Sequence, residues 1–228
     1  MSAPSSEPGE DITPITPHIE CIPIGLLEAN CYLIICPETN EALLIDPGAE
    51  PERILHHIQT AGCRVTHLLH THGHFDHISA TEAVLDGLEH AASVSGHPAD
   101  AYLYEREARA RGQQFGYDLP ESLTVPDKHL ADGTQFRIGS LRFEVIHTPG
   151  HTPGSISLVC GTTTIFTGDT LFRRGIGRTD LAGGDEDRIY ESILTRLYPL
   201  DEALRVLPGH GPATTIGEEK RANPFVQA

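Results

Sequence analysis

The chain has 228 residues, is 39% apolar and carries a formal charge of −16 at pH 7, which fits one large domain with a substantial core and leaves no room for a second catalytic domain. Its only lysines are Lys128 and Lys220, so a surface of clustered cations for phosphate binding is disfavoured, and nucleic acid is not an expected partner. The five cysteines, Cys21, Cys31, Cys36, Cys63 and Cys160, form no Cys-x-x-Cys pair and leave one over, as expected of reduced packing residues rather than a disulfide frame.

Residues 1–17, rich in Ser, Pro and Glu, have no basic or apolar stretch of the secretory kind and read as a flexible tail ahead of a domain spanning 18–228. No run approaches the ~18 apolar residues that span a bilayer. The expectation is a cytoplasmic protein with no membrane partner. Strand-like segments open the domain at Ile19 to Ile24, Cys31 to Cys36 and Ala42 to Ile45, the last ending in the turn Asp46-Pro47-Gly48. Pro51 then suits the first turn of a helix whose Ile54, Leu55 and Ile58 share one face and which Gly62 ends; His56 and His57 on it read as exposed polar residues. Val65 to Leu69 is the next strand, and Ile78 to Leu88 looks helical.

Between His97 and Asp127 the periodicity weakens. A helix near Asp100 to Arg111 runs into Gly112 to Gly116, and the region reads as a lid or as a plain connector. Strands resume from Gln135 with turns at Gly139-Ser140 and Gly161-Thr162, and Ile189, Ile193, Leu194 and Leu197 mark an amphipathic helix before a last strand, Leu204 to Leu207. Strands with a helix, repeated in a second half, suggest two packed sheets covered by helices on both outer faces.

The chemistry concentrates in Thr-His-Gly-His-Phe-Asp-His, residues 71–77, where His72, His74, Asp76 and His77 follow an apolar strand. Packed together without a partner, such side chains would repel when protonated and compete for donors when neutral; a metal ion relieves both problems. Alternate residues of an extended loop could point at one ion while the next pair points at another. Further candidates follow strand-like runs: His151 in Thr-Pro-Gly-His-Thr-Pro-Gly, Asp169 in Thr-Gly-Asp-Thr and His210 in Leu-Pro-Gly-His-Gly-Pro. In both Pro-Gly-His copies Pro stiffens the strand exit and Gly permits the dihedrals that turn the next His inward.

Together these seven residues resemble the ligand set of the metallo-β-lactamase superfamily, and the resemblance runs from about Ile19 to Pro224. Within it, Asn30-Cys31-Tyr32-Leu33-Ile34, Ile45-Asp46-Pro47-Gly48, Thr167-Gly168-Asp169-Thr170-Leu171-Phe172 and Gly217-Glu218-Glu219 through Asn223-Pro224-Phe225 resemble the short bacterial glyoxalase II-like (hydroxyacylglutathione hydrolase-like) enzymes. The resemblance implies an α/β fold, a single-domain four-layer αββα sandwich with metals at one edge between the sheets. It implies two divalent ions, zinc first and iron or manganese as other candidates. One would be held by His72, His74 and His151, the second by Asp76, His77 and His210, with Asp169 bridging. The implied activity is hydrolysis of a small-molecule thioester, an acyl-glutathione, by a metal-bridging hydroxide, with Asp76 passing a proton during breakdown. A thiolate leaves without strong protonation, whereas an amine does not, which agrees with a thioester. His129 and His147 are the other candidate acids, with ordinary packing or surface roles as the plainer reading.

Substrate recognition departs from the pattern. The larger glyoxalase II enzymes carry a C-terminal helical domain for glutathione, and this chain stops after Phe225-Val226-Gln227-Ala228. Their basic residue after Gly-Asp-Thr-Leu-Phe is matched by Arg178, the expected substrate-binding residue, but two tyrosine positions are Asp180 and Pro212. Arg173, Arg174, Lys220 and Arg221 are secondary candidates. The alternative is a mononuclear-iron persulfide dioxygenase of the same fold, which the stretch Arg174-Gly175-Ile176-Gly177-Arg178-Thr179-Asp180 also resembles, with iron on His72, His151 and Asp169.

Overall fold

The computed structural model describes residues 15–105, 112–117, 119 and 123–227. Of the expected flexible tail, only residues 15–17 fall among them, and Ile15 packs against the core. The first sheet joins β1 (His18–Ile24), β2 (Ala29–Ile35), β3 (Glu41–Ile45), β4 (Arg64–Leu69), β5 (Ser93–Gly96) and β6 (Lys128–His129) in that spatial order. The first three strands are antiparallel and the rest pair in parallel. In the second half the strands are β7 (Gln135–Ile138), β8 (Leu141–His147), β9 (Ile156–Cys160), β10 (Thr164–Gly168), β11 (Leu171–Phe172), β12 (Gly175–Ile176), β13 (Arg205–Pro208) and β14 (Thr214–Thr215). The second sheet has the order β14-β13-β10-β9-β8-β7, and β11 with β12 forms a separate hairpin.

Strand alternation explains the layering. In β2, Tyr32 and Ile34 point into a core shared with Phe143, Val145, Leu158, Phe166 and Leu207 of the other sheet, while Cys31, Leu33 and Ile35 face the opposite way. That outer face is covered by α1 (Pro51–Ala61) and α3 (Thr81–Gly87) through Ile54, Ile58 and Val84. On the far side, Ile165 and Val206 meet Ile189, Ile193, Leu197 and Ile216, carried by α4 (Glu186–Ser192), its π-helical continuation Ile193–Leu197, and α5 (Ile216–Ala222). Strands buried on both faces form continuous apolar runs, and the result is the expected αββα sandwich.

The structure differs from the sequence reading at several places. The helix expected over Ile78 to Leu88 is two: α2 (Phe75–Ile78) begins inside the His-rich motif, and α3 follows a break at Ala80. The break arises because the Ala80 amide turns to the Pro47 carbonyl at 3.0 Å and Gly48 packs on the Asp76 carbonyl so closely that a Cβ there would lie 1.6 Å from it. His72 lies at a bend and His74 is extended, whereas Asp76 and His77 sit on a helical turn, not on a continuing extended loop. In place of an α-helix near Asp100 to Arg111 stands a 3₁₀ segment, Pro98–Tyr104; residues 106–111 lie outside the described residues.

Phe166 is 1% exposed and meets Tyr32 edge to face at 5.1 Å between the sheets. Phe166→Ala should cost about 3–5 kcal/mol, measured by denaturant unfolding; a loss below about 1 kcal/mol would show that the two sheets do not share this core.

Candidate metal centre

Each of the four site segments leaves a strand at the same edge of the sandwich. The motif follows β4, His151 lies between β8 and β9, Asp169 follows β10, and His210 follows β13. Main-chain bonds tie these exits together: Ile156 to Thr71 at 2.9 Å and Gly209 to Gly168 at 2.8 Å. The His210 loop is clasped from the other sheet, because Asn30 donates to the carbonyls of Pro208 (3.0 Å) and Gly211 (2.9 Å) and Tyr32 donates to Pro208 (2.7 Å). Asp100 binds two of the other loops. Its buried carboxylate accepts the Gly73 amide (2.9 Å), the Gly154 amide (2.6 Å) and the Thr152 hydroxyl (2.7 Å).

The structure brings all seven sequence-predicted residues together. One group, His72, His74 and His151, places a ligand atom of each within 4.8 Å of the others, and Asp76, His77 and His210 form a second group of the same kind. Asp169 stands between them: Oδ1 is 3.5 Å from His77 Nε2, and Oδ2 is 3.5 Å from His151 Nε2 and 3.6 Å from His210 Nε2. Glycine makes the approach possible, since a Cβ on Gly209 would lie 2.1 Å from Asp169 Oδ1.

Hydrogen bonds outside the cluster decide which ring nitrogens face in. His151 Nδ1 lies 2.7 Å from the Arg178 carbonyl and His210 Nδ1 3.0 Å from the Leu27 carbonyl. Carbonyls only accept, so both Nδ1 atoms donate and both Nε2 atoms present lone pairs to the cluster. Asp46 does the same for two more rings. Its Oδ2 takes His77 Nδ1 at 3.1 Å and the Thr71 hydroxyl proton at 2.6 Å, which leaves Thr71 Oγ1 to accept from His72 Nδ1 at 3.1 Å.

This arrangement favours positive charge, supplied by a metal ion or by a proton. His77 Nε2 and His210 Nε2 face each other at 3.2 Å, and neutral rings would oppose two lone pairs there. Among the described residues, His72 Nε2 and Asp169 Oδ1 are buried without a hydrogen-bond partner, a state that is costly unless an ion fills it. Burial works against a charged His77, yet Asp169, Asp76 and Asp46 outweigh it and push the ring up to about 10. Burial and the neighbouring imidazoles hold His72 well below the ordinary range. Burial would raise Asp76, but His77, His210 and His74 hold it low. Imidazole and carboxylate donors in this number suit a divalent zinc, iron or manganese ion in each group.

The chain belongs to the metallo-beta-lactamase superfamily. Residues 24–210 match that family. The chain is 39% identical over 215 residues to a hydroxyacylglutathione hydrolase, GloC, of Haemophilus influenzae, covering 92% of this chain and 99% of that one. Among solved structures it resembles the B3 metallo-beta-lactamase BLEG-1 (TM-score 0.83, 35% identity, 92% of this chain and 100% of that one). It also resembles TTHA1623 in a di-iron-bound form (TM-score 0.80, 39% identity, 91% and 100%).

The remaining candidates stand apart from the cluster. Arg178 offers the centre its carbonyl, while its guanidinium is 2.7 Å from each oxygen of Asp180 and its side chain is 57% exposed. Arg174 is bound to Glu219 and Ala222, and Lys220 and Arg221 both pair with Glu202. His147 stacks on His97 at 4.2 Å and donates to the Pro153 carbonyl, and His129 is exposed on β6. Sequence reasoning missed Asp46, Thr71, Asp100 and the Leu27 carbonyl as supports. Asp46 was visible only as a turn residue, although its left-handed φ of 53° marks a carboxylate turned back towards the motif.

Asp46→Asn replaces one acceptor oxygen with a donor and so disturbs the tautomers of His72 and His77. Metal affinity should fall about 10–100-fold in a chelator competition assay with the fold retained; unchanged affinity would mean that Asp46 does not orient the ligands.

Proposed function

We propose that the protein is a metal-dependent hydrolase that cleaves a thioester, an acyl-glutathione in the manner of the glyoxalase II-like enzymes. The observation that carries this reading is His210, whose Nε2 stands 3.4 Å from Asp76 Oδ2 and 3.2 Å from His77 Nε2, completing a second donor group beside His72, His74 and His151. A single-iron dioxygenase needs only His72, His151 and Asp169 and has no use for that second group. Metal ions held by the two groups supply water ionised near pH 7 and a Lewis acid for the acyl oxygen.

This chain's residues do the rest. The Nε2 lone pairs of His72, His77, His151 and His210 are aimed by their Nδ1 bonds, so the donors are preorganised before substrate arrives. The Asp76 carboxylate, buried beside His77 and His210, takes a proton on oxygen and returns it to the departing group. With the cluster's imidazoles engaged as metal ligands, no further acid stands within it among the described residues, which favours a thiolate leaving group over an amine. Arg178 is assigned the substrate carboxylate; because its pair with Asp180 is exposed, exchanging one carboxylate for another costs little. The buried free thiols of Cys31, Cys36 and Cys160 support a reducing compartment such as the cytoplasm, and among the described residues no helix is long and apolar enough to cross a membrane.

The test is turnover of acyl-glutathione thioesters, S-lactoylglutathione among them, beside oxygen uptake by the iron-loaded protein given glutathione persulfide. Thioester cleavage without oxygen uptake is expected, with Asp76→Asn lowering kcat about 10²–10⁴-fold in a folded protein. Oxygen uptake without thioester cleavage would select the dioxygenase. Arg178→Ala should raise KM for a glutathione thioester about tenfold, the worth of one charge-assisted hydrogen bond, with kcat little changed; an unaltered KM removes Arg178 from the substrate site.

A further inference from the structure

Access to the metal centre is one-sided. The His210 side chain is 27% exposed, whereas those of Asp169, Asp76, His151 and His77 are 11%, 10%, 3% and 0% exposed, so a substrate reaches the centre past His210. The surface met there is apolar. Leu27, whose carbonyl holds His210 and whose amide donates to the Tyr117 hydroxyl at 3.2 Å, is 39% exposed, and Leu26 beside it is 73% exposed. Phe115, 49% exposed, stacks at 5.8 Å on Phe75 of the metal motif. Exposed apolar residues grouped at a site entrance are unusual unless something covers them.

Leu26 and Tyr117 also line a cavity of about 790 Å³ with Ala49, Ala83 and Leu119. The cavity backs onto the metal loop through Gly48, which abuts the Asp76 carbonyl. Its size suits a small-molecule group. Glu50, Glu52, Glu82 and Asp86 stand around it, and its described lining contains no Lys or Arg. Glu50 is paired with Arg53 at 3.1 Å, while Glu52, Glu82 and Asp86 have no cationic partner among the described residues. An anionic group is repelled there.

We propose that this rim and cavity receive the acyl part of the substrate, and that the acyl group is extended, apolar and not anionic. The inference rests on the hydrolase reading and sharpens it: the acyl chain runs over Leu26 and Leu27 into the cavity, and the anionic carrier lies on the other side, where Arg178 meets the cluster through its carbonyl.

The test is a panel of N-acetylcysteamine thioesters from acetyl to octanoyl, with an acyl group of octanoyl length ending in a carboxylate. In the metal-loaded wild type, kcat/KM should rise about two- to fourfold per methylene, and the terminal carboxylate should lower it at least about tenfold. Ala83→Trp, which fills the cavity from an exposed helix position, should flatten the dependence on chain length; Leu26→Ser carries the same comparison if Ala83→Trp does not fold. Calorimetric binding of the non-hydrolysable S-octyl and S-ethyl thioethers supplies a readout independent of turnover, with octyl preferred by wild type and not by Ala83→Trp. Thioester cleavage indifferent to chain length, equal acceptance of the carboxylate, or equal binding of the two thioethers overturns the assignment. Octyl-selective binding without cleavage of any thioester would keep the cavity assignment and remove the hydrolase reading.

Discussion

Two imidazole nitrogens face each other across 3.2 Å at the edge of this sandwich, each with its proton committed to an acceptor on the far side of the ring. With both rings neutral the arrangement is repulsive, a proton or a metal ion relieves it, and hydrogen bonds hold the rings in place. Asp46 fixes His77, the Leu27 carbonyl fixes His210, and Asn30 with Tyr32 holds the loop on which His210 rides. The surrounding structure thus spends stability on a cluster that positive charge relaxes, as expected where function rather than folding sets the local arrangement.

The same constraint explains why both sheets are needed. His72, His74, Asp76 and His77 come from the first sheet's edge and His151, Asp169 and His210 from the second's, so each donor group draws on both sheets and the inter-sheet core around Phe166 and Tyr32 sets the distances within it. Asp100 and the Thr71 to Ile156 bond fasten the loops once the sheets have packed. Positioning by packed strands and buried hydrogen bonds leaves little to loop flexibility, and a metal centre of several loops benefits from that rigidity.

Much of this was legible in the sequence. Long strands with continuous apolar runs, the Pro51 to Gly62 helix and the His/Asp clusters at strand ends all stand where their patterns put them, because period, caps and metal-competent spacing are local properties. What was not legible depended on distant partners. β5, β6, β11, β12 and β14 have two to four residues each, too few to display a period, and exist because a neighbouring strand is already in place. The division of Ile78 to Leu88 into two helices follows from Pro47 and Gly48 pressing on the motif from thirty residues upstream. Asp46 and Leu27 act through contacts that no local pattern announces, a carboxylate in a turn and a main-chain carbonyl in another.

His210, the most exposed of these ligands, meets Phe172 of the β11–β12 hairpin at 6.3 Å and is held by the Leu27 carbonyl on its other flank. All of this depends on the two donor groups holding one ion each. Anomalous diffraction from crystals of the metal-loaded protein tests that most directly: two separate peaks are expected, one among His72, His74 and His151 and one among Asp76, His77 and His210, with Asp169 contacting both. A single peak with His210 turned out of the cluster would contradict the account.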